Sequence, residues 1–203
     1  MRYVLSGICA MATGSSCLAV IVGTTGAGLL VAPPPSLAPG VFANASVVYA
    51  INEKQGVLFN GLIDRYLPAI GPAYVLGSAL PVNPGPLWVN SHILHFDNQG
   101  QPQAGIVTGT VTFDKAIIGV IFTNQRLDLS DAALGNPGTV YPFGVANRGF
   151  SSVIDTFTLL SPWTLRFTLA NGGAMDEIRV LTVPVPGTLV CGAGLAALAR
   201  RRR

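Results

Sequence analysis

"GIVTGTVTF" occupies residues 105–113 and "AIIGVIFT" residues 116–123. In the first, Val107, Gly109, Val111 and Phe113 alternate with Thr108, Thr110 and Thr112. That period of two sends successive side chains to opposite faces of a β-strand. Runs of the same kind recur along the chain between turn signals. They are "SVVYAIN" (46–52), "GVLFNGLI" (56–63), "AYVLG" (73–77) and "LWVNSHILHF" (87–96) before this pair, and "VIDTFTLL" (153–160), "TLRFTLA" (164–170) and "DEIRVLT" (176–182) after it. Only "LSDAALG" (129–135) reads as a helical turn, with Ser130 as its N-cap. Short strands punctuated by Pro-Gly, Asn-Gln-Gly and Asn-Gly-Gly predict an all-β domain over residues 46–183, an antiparallel β-sandwich of jelly-roll type.

The 203 residues have room for one ordinary domain and its targeting segments. Only 10% are charged, well under the ~25% of typical soluble domains. The formal charge is +3, but Arg2 and Arg200 to Arg203 supply five of the 12 basic residues from the extreme ends. The interior sets seven basic residues against all nine acids. No basic stripe is left to follow a phosphate backbone, so nucleic acid is not an expected partner. Cys9, Cys17 and Cys191 lie outside residues 33–183, and a domain without cysteine has neither a disulfide framework nor thiolate chemistry.

Both ends read as addresses. Arg2 followed by a long uncharged run is the pattern of a secretory signal peptide, expected over residues 1–32 with cleavage near residues 25–32. "PPPSLAPG" then opens a proline-rich linker over residues 33–45. At the other end, Thr188 to Ala199 is an uncharged segment of 12 residues. As a short hydrophobic helix it would span about 18 Å, less than the ~30 Å hydrocarbon core. It suits transient membrane contact, with the four arginines held on the cytoplasmic side.

A proline pair, a short apolar stretch and a terminal arginine cluster, in that order, resemble a PEP-CTERM sorting signal over residues 184–203. The matching positions are Pro184 and Pro186, Leu189 to Ala199, and Arg200, Arg201, Arg202 and Arg203; the family's central glutamate is Val185 here. The resemblance implies a bacterial protein processed by an exosortase-type membrane enzyme and delivered to the cell surface or extracellular polysaccharide matrix. The middle of the chain is also similar to a domain of unknown function found in PEP-CTERM proteins. The segments that carry this are "INEKQGVLF" (51–59), "VNSHILHFD" (89–97), "GTVTFDKAIIGVIF" (109–122), "LDLSDAALGNPGTVYP" (127–142) and "DEIRVLT" (176–182). That group implies one compact extracellular domain and no catalytic residues.

Four clusters invite chemistry. In "SHILHFD", His95 and Asp97 share a strand face while His92 points away, so a zinc site would lack ligands. One core histidine and one polar cross-strand pair is the expectation. Calcium is the metal better suited to loop oxygens: Asp97 and Asn98, with Asp128 and Asp131, would supply a single structural ion if they are not ordinary turn carboxylates. In "MDEIRVL", Asp176 precedes a strand on which Ile178 and Val180 face one way and Glu177, Arg179 and Leu181 the other. Glu177 and Arg179 are expected to form structural ion pairs, with Arg126 and Asp155 among the candidate partners. Trp88, Tyr74, Tyr141, Phe143 and Trp163 would stack on sugar rings if exposed. No G-x-S-x-G, P-loop or H-E-x-x-H motif occurs. The expectation is a structural or adhesive matrix protein that is not an enzyme and needs no cofactor. The alternatives are a calcium-assisted carbohydrate-binding module and, behind it, a polysaccharide hydrolase with paired carboxylates.

Overall fold

The alternation at 105–113 becomes strand β7 (Ile106–Phe113), whose Val107, Val111 and Phe113 are buried while Thr108 is exposed. The computed structural model describes residues 20–101, 105–170 and 175–184. Strands before β7 are β1 (Ile21–Gly26), β2 (Gly28–Val31), β3 (Val48–Asn52), β4 (Val57–Phe59), β5 (Arg65–Tyr66) and β6 (Leu87–Asp97). After it come β8 (Ile117–Ile121), helix α1 (Asn124–Leu134), β9 (Thr156–Ser161), β10 (Thr164–Ala170) and β11 (Met175–Thr182).

The strands form two sheets. One has the order β1-β7-β10-β9; the other runs β2-β3-β6-β11-β8-β5, with β4 also pairing β6. All pairs are antiparallel except β2 with β3. A core shared by both sheets fills the space between them: Val111, Phe113, Phe157, Leu165 and Phe167 from one, and Leu94, Phe96, Val120, Ile178 and Val180 from the other. This mostly-β, two-sheet arrangement agrees with the sandwich expected from periodicity.

β6 and β11 depart from the half-buried pattern. Every residue from Val89 to Asp97 and from Met175 to Thr182 is buried. The reason is a further layer on the back of the larger sheet. There α1 packs Leu127 and Leu134 with Ile121 and Leu181, and the segment after the prolines packs Leu37 with Ile51 and Ile93. The strands are thus central ones with both faces covered, so polar residues on the outer face are buried along with the apolar ones.

Two boundaries differ from the sequence reading. Residues 21–31, expected inside the signal segment, supply edge strands to both sheets. β1 pairs β7 and β2 pairs β3, with the chain turning between them at Gly26, whose φ is 62°. Ile21 is buried and its N–H donates to Asn52 Oδ1 at 3.0 Å. Gly109 permits the close approach of β1, since a Cβ there would lie 2.5 Å from the Thr25 carbonyl oxygen. The expected linker at 33–45 is likewise part of the body, with Leu37 fully buried. The folded body therefore takes in residues 20–45 as well as those from 46 onward, because these segments are joined to it by sheet pairing and by buried side chains.

The helix also begins earlier than expected. Asp64, distant in sequence, accepts from the N–H groups of Phe122 and Thr123 at 2.8 Å and from the Thr123 hydroxyl at 2.9 Å, and so fixes the N-cap residue Thr123. Lys54 Nζ donates to the carbonyls of Ala132 and Ala133 at the other end, where a cation complements the dipole. Ser130 is not the N-cap; it is a buried mid-helix residue whose Oγ donates to Leu127 O. The run at 73–77 gives only a bridge at Tyr74 and a 3-10 turn (Leu76–Ser78), not a strand.

Candidate functional site

Between the larger sheet and α1 lies a connected set of buried charges. Cross-strand register places His95 between Tyr49 and Glu177. His95 Nδ1 donates to Glu177 Oε1 at 2.8 Å. The other oxygen of Glu177 accepts from Arg148 Nε at 2.6 Å, and Arg148 spreads its remaining nitrogens over Asp128 (2.8 Å) and Asp131 (2.6 and 2.8 Å). Arg179 joins from the same face of β11, donating to Asp131 at 2.9 Å, to both oxygens of Glu53 at 2.8 and 2.9 Å, and to Ser130 Oγ. Ser91 Oγ donates to Glu53 at 2.6 Å. Both guanidinium groups lie near the Tyr141 ring, at 5.9 and 5.5 Å from its centroid.

Electrostatics follows from this packing. Burial alone would raise the Glu177 carboxyl, but the Arg148 charge and the His95 hydrogen bond outweigh it and hold it below the ordinary carboxylate range. Burial likewise works against both arginines, and their carboxylate partners overcome it, Glu177 and Asp131 at Arg148 and Glu53 and Asp131 at Arg179. Tyr141 is pushed up by burial first and then by Glu53. Four carboxylates surround two guanidiniums, each fully buried charge having several partners, as low-dielectric burial requires.

The sequence-derived candidates fall into different places. His95, Glu177 and Arg179 belong to this network, but Asp97 does not. Its carboxylate accepts from the backbone N–H of Gly40 (2.6 Å) and Gln99 (2.7 Å), tying two loops together. Asp128 and Asp131 are arginine partners rather than a calcium pair with Asp97 and Asn98, and among the described residues no group of three acids, histidines or cysteines could hold a metal. The partners named for Glu177 and Arg179 are also corrected. Arg126 pairs instead with Asp64 at 3.0 Å, and Asp155 lies against Asp176. His92 faces the sandwich interior, as its register predicts: Nδ1 donates to Asn52 Oδ1 at 2.8 Å and Nε2 accepts from Thr182 at 3.2 Å. Pro184 ends the described region, and Pro186 with Arg200 to Arg203 lies outside it.

Glu53 and Arg148 escaped the sequence reading. Arg148 stands outside every quoted segment, and Glu53, within "INEKQGVLF", meets Arg179 across 126 positions of chain. The network borders a depression of about 470 Å³ lined by Lys54, Asp128, Asp131, Asn136, Tyr141 and Phe143. Phe143 is 80% exposed there, while Trp88 and Trp163 are exposed elsewhere and Tyr74 is buried. Scans of protein-family models, of curated proteins and of solved structures find no match to this chain.

Proposed function

We propose that this chain is exported and serves at the cell surface or in an extracellular matrix, with a structural or adhesive role exerted by non-covalent contact. Its C-terminal tail, through Pro184, Pro186 and Arg200 to Arg203, is the sorting signal handled by an exosortase-type enzyme. The observation that supports this reading is the closed charge network: His95, Glu53, Glu177, Asp128 and Asp131 are bound to arginines or to one another. Residues so committed hold the layers together; they are not poised to exchange protons with a substrate. The jelly-roll order of strands and the helical form of the C-terminal apolar stretch belong to the same proposal.

β1 starts at Ile21, which favours an export signal that ends before it, and the sequence Cys17-Leu18-Ala19 offers a small-residue cleavage motif. A cut at 25–32 would strip β1 from the sandwich. The test is fractionation of a host with and without its exosortase, with mass spectrometry of the termini. Surface or matrix protein beginning at Val20, lost from that fraction when 184–203 is deleted, is expected. Intact chain in the cytoplasm would overturn the proposal.

A carbohydrate-binding role is the second reading. The observation favouring it is the depression beside Asp128 and Asp131, where the exposed Phe143 ring flanks polar groups.

A further inference from the structure

The outer face of the four-stranded sheet is a field of hydroxyls around one cation. Strands β1, β7, β9 and β10 contain a single charged residue, Arg166. It is exposed on β10, opposite Thr110 on one side and Thr158 on the other. Thr25 of β1 extends that row beyond Thr110, with the two hydroxyls 2.7 Å apart. The row below runs Thr108, Thr168, Thr156, and the row above Thr112, Thr164, Ser161. Neighbouring rows are about 7 Å apart and neighbouring strands about 4.8 Å.

Arg166 differs from every other cation of the folded body. Arg148 and Arg179 belong to the buried network, Arg126 pairs with Asp64, and Lys115 with Asp114. Lys54 caps α1, and Arg65 lies over the Tyr74 ring at 4.7 Å. All nine acids of the sequence are among the described residues, and none pairs with Arg166. An unpaired guanidinium is thus held on a rigid, otherwise uncharged sheet.

From this we infer that the β1-β7-β10-β9 face binds an acidic polysaccharide, with Arg166 taking a uronate carboxylate. The guanidinium fork matches a carboxylate bidentately. The surrounding threonines donate and accept hydrogen bonds, and their methyl groups offer apolar contact to the C–H faces of sugar rings. One fixed charge among hydroxyls suits a polymer whose charges are sparse and whose hydroxyls are many. A nucleic-acid backbone or an anionic bilayer would call for several cations on the face. The inference deepens the matrix proposal by naming the ligand class and the surface, yet binding in solution succeeds or fails whether or not the chain is exported.

The experiment is co-sedimentation of the full chain with a glucuronoxylan, whose uronates are spaced by neutral sugars, using a background in which Arg200 to Arg203 are all glutamine so that the tail adds no charge. Saturable binding is expected, weakened at least tenfold by Arg166→Gln and partly retained by Arg166→Lys. The pair Thr110→Val and Thr168→Val should weaken binding with the charge intact, and neither change should move the melting temperature. Absence of binding, or equal binding by Arg166→Gln, overturns the inference. So does equal binding to neutral dextran, to duplex DNA or to phosphatidylglycerol vesicles.

Discussion

Asp176→Asn should make this protein more stable at neutral pH. Asp155 is fully buried and its carboxylate accepts three backbone N–H groups, from Ser151 (2.9 Å), Ser152 (2.7 Å) and Ala170 (2.9 Å). Asp176 lies beside it, 1% exposed, with Oδ1 unpartnered. Burial, and then the Asp155 charge, push the Asp176 carboxyl up from 3.8 to about 9. The folded protein therefore keeps a proton that the unfolded chain gives up above its ordinary carboxylate pKa. A raised pKa of this kind means that stability is full below that value and falls as pH rises toward about 9. At about 1.4 kcal/mol per pH unit, keeping Asp176 protonated costs the folded state about 4 kcal/mol at pH 7. Asparagine donates to Asp155 without taking up a proton and removes that cost. The upper limit of the gain is about 4 kcal/mol at pH 7, or roughly 8–16 °C in melting temperature for a chain of this length. At pH 5 it shrinks to less than half of that. Urea denaturation of wild type and variant at pH 5, 7 and 8 reads both the gain and its slope. A variant less stable than wild type at pH 7, or a difference independent of pH, would refute the reasoning.

Burial holds the His92 imidazole down to about 3, against the opposing pull of Asp114. The unfolded chain takes up a proton below about 6.5 that the folded state refuses, so stability falls as pH drops from there toward 3. His92→Gln should remove close to one proton from that acid limb in denaturation measured from pH 7 to 4; an unchanged slope would contradict the assignment. Arg148→Met leaves Glu177 buried with His95 alone and should cost about 3–5 kcal/mol. Replacing Glu177 by leucine in the same chain should recover part of that loss in a double-mutant cycle, and strictly additive losses would show that the two do not act together.

Much of this architecture is written locally. β10 lies where "TLRFTLA" places it, and β3, β6, β7, β8 and β11 agree to within a residue or two. The facing of β11, with Ile178 and Val180 against Glu177, Arg179 and Leu181, and the opposite facing of His92 and His95, also follow from a period of two. These are properties of neighbouring residues, and a strand expresses them wherever it is placed. Tertiary structure decided the rest. Residues 21–31 carry the apolar, glycine-diluted composition of a leader, and only the open edges of β7 and β3 make them strands. α1 extends back to Asn124, and its N-cap residue Thr123 is held by Asp64 from 59 positions away. The partners of Arg148, Arg179 and Glu177 are chosen by the layer that closes over the sheet, which strips water from any charge there and leaves other charges as its only solvent. Sequence by itself therefore determined the central strands and which face their side chains take. Which charges meet was left to the packing, because ion pairing is set by distance in space and by dielectric, and neither is encoded in spacing along the chain.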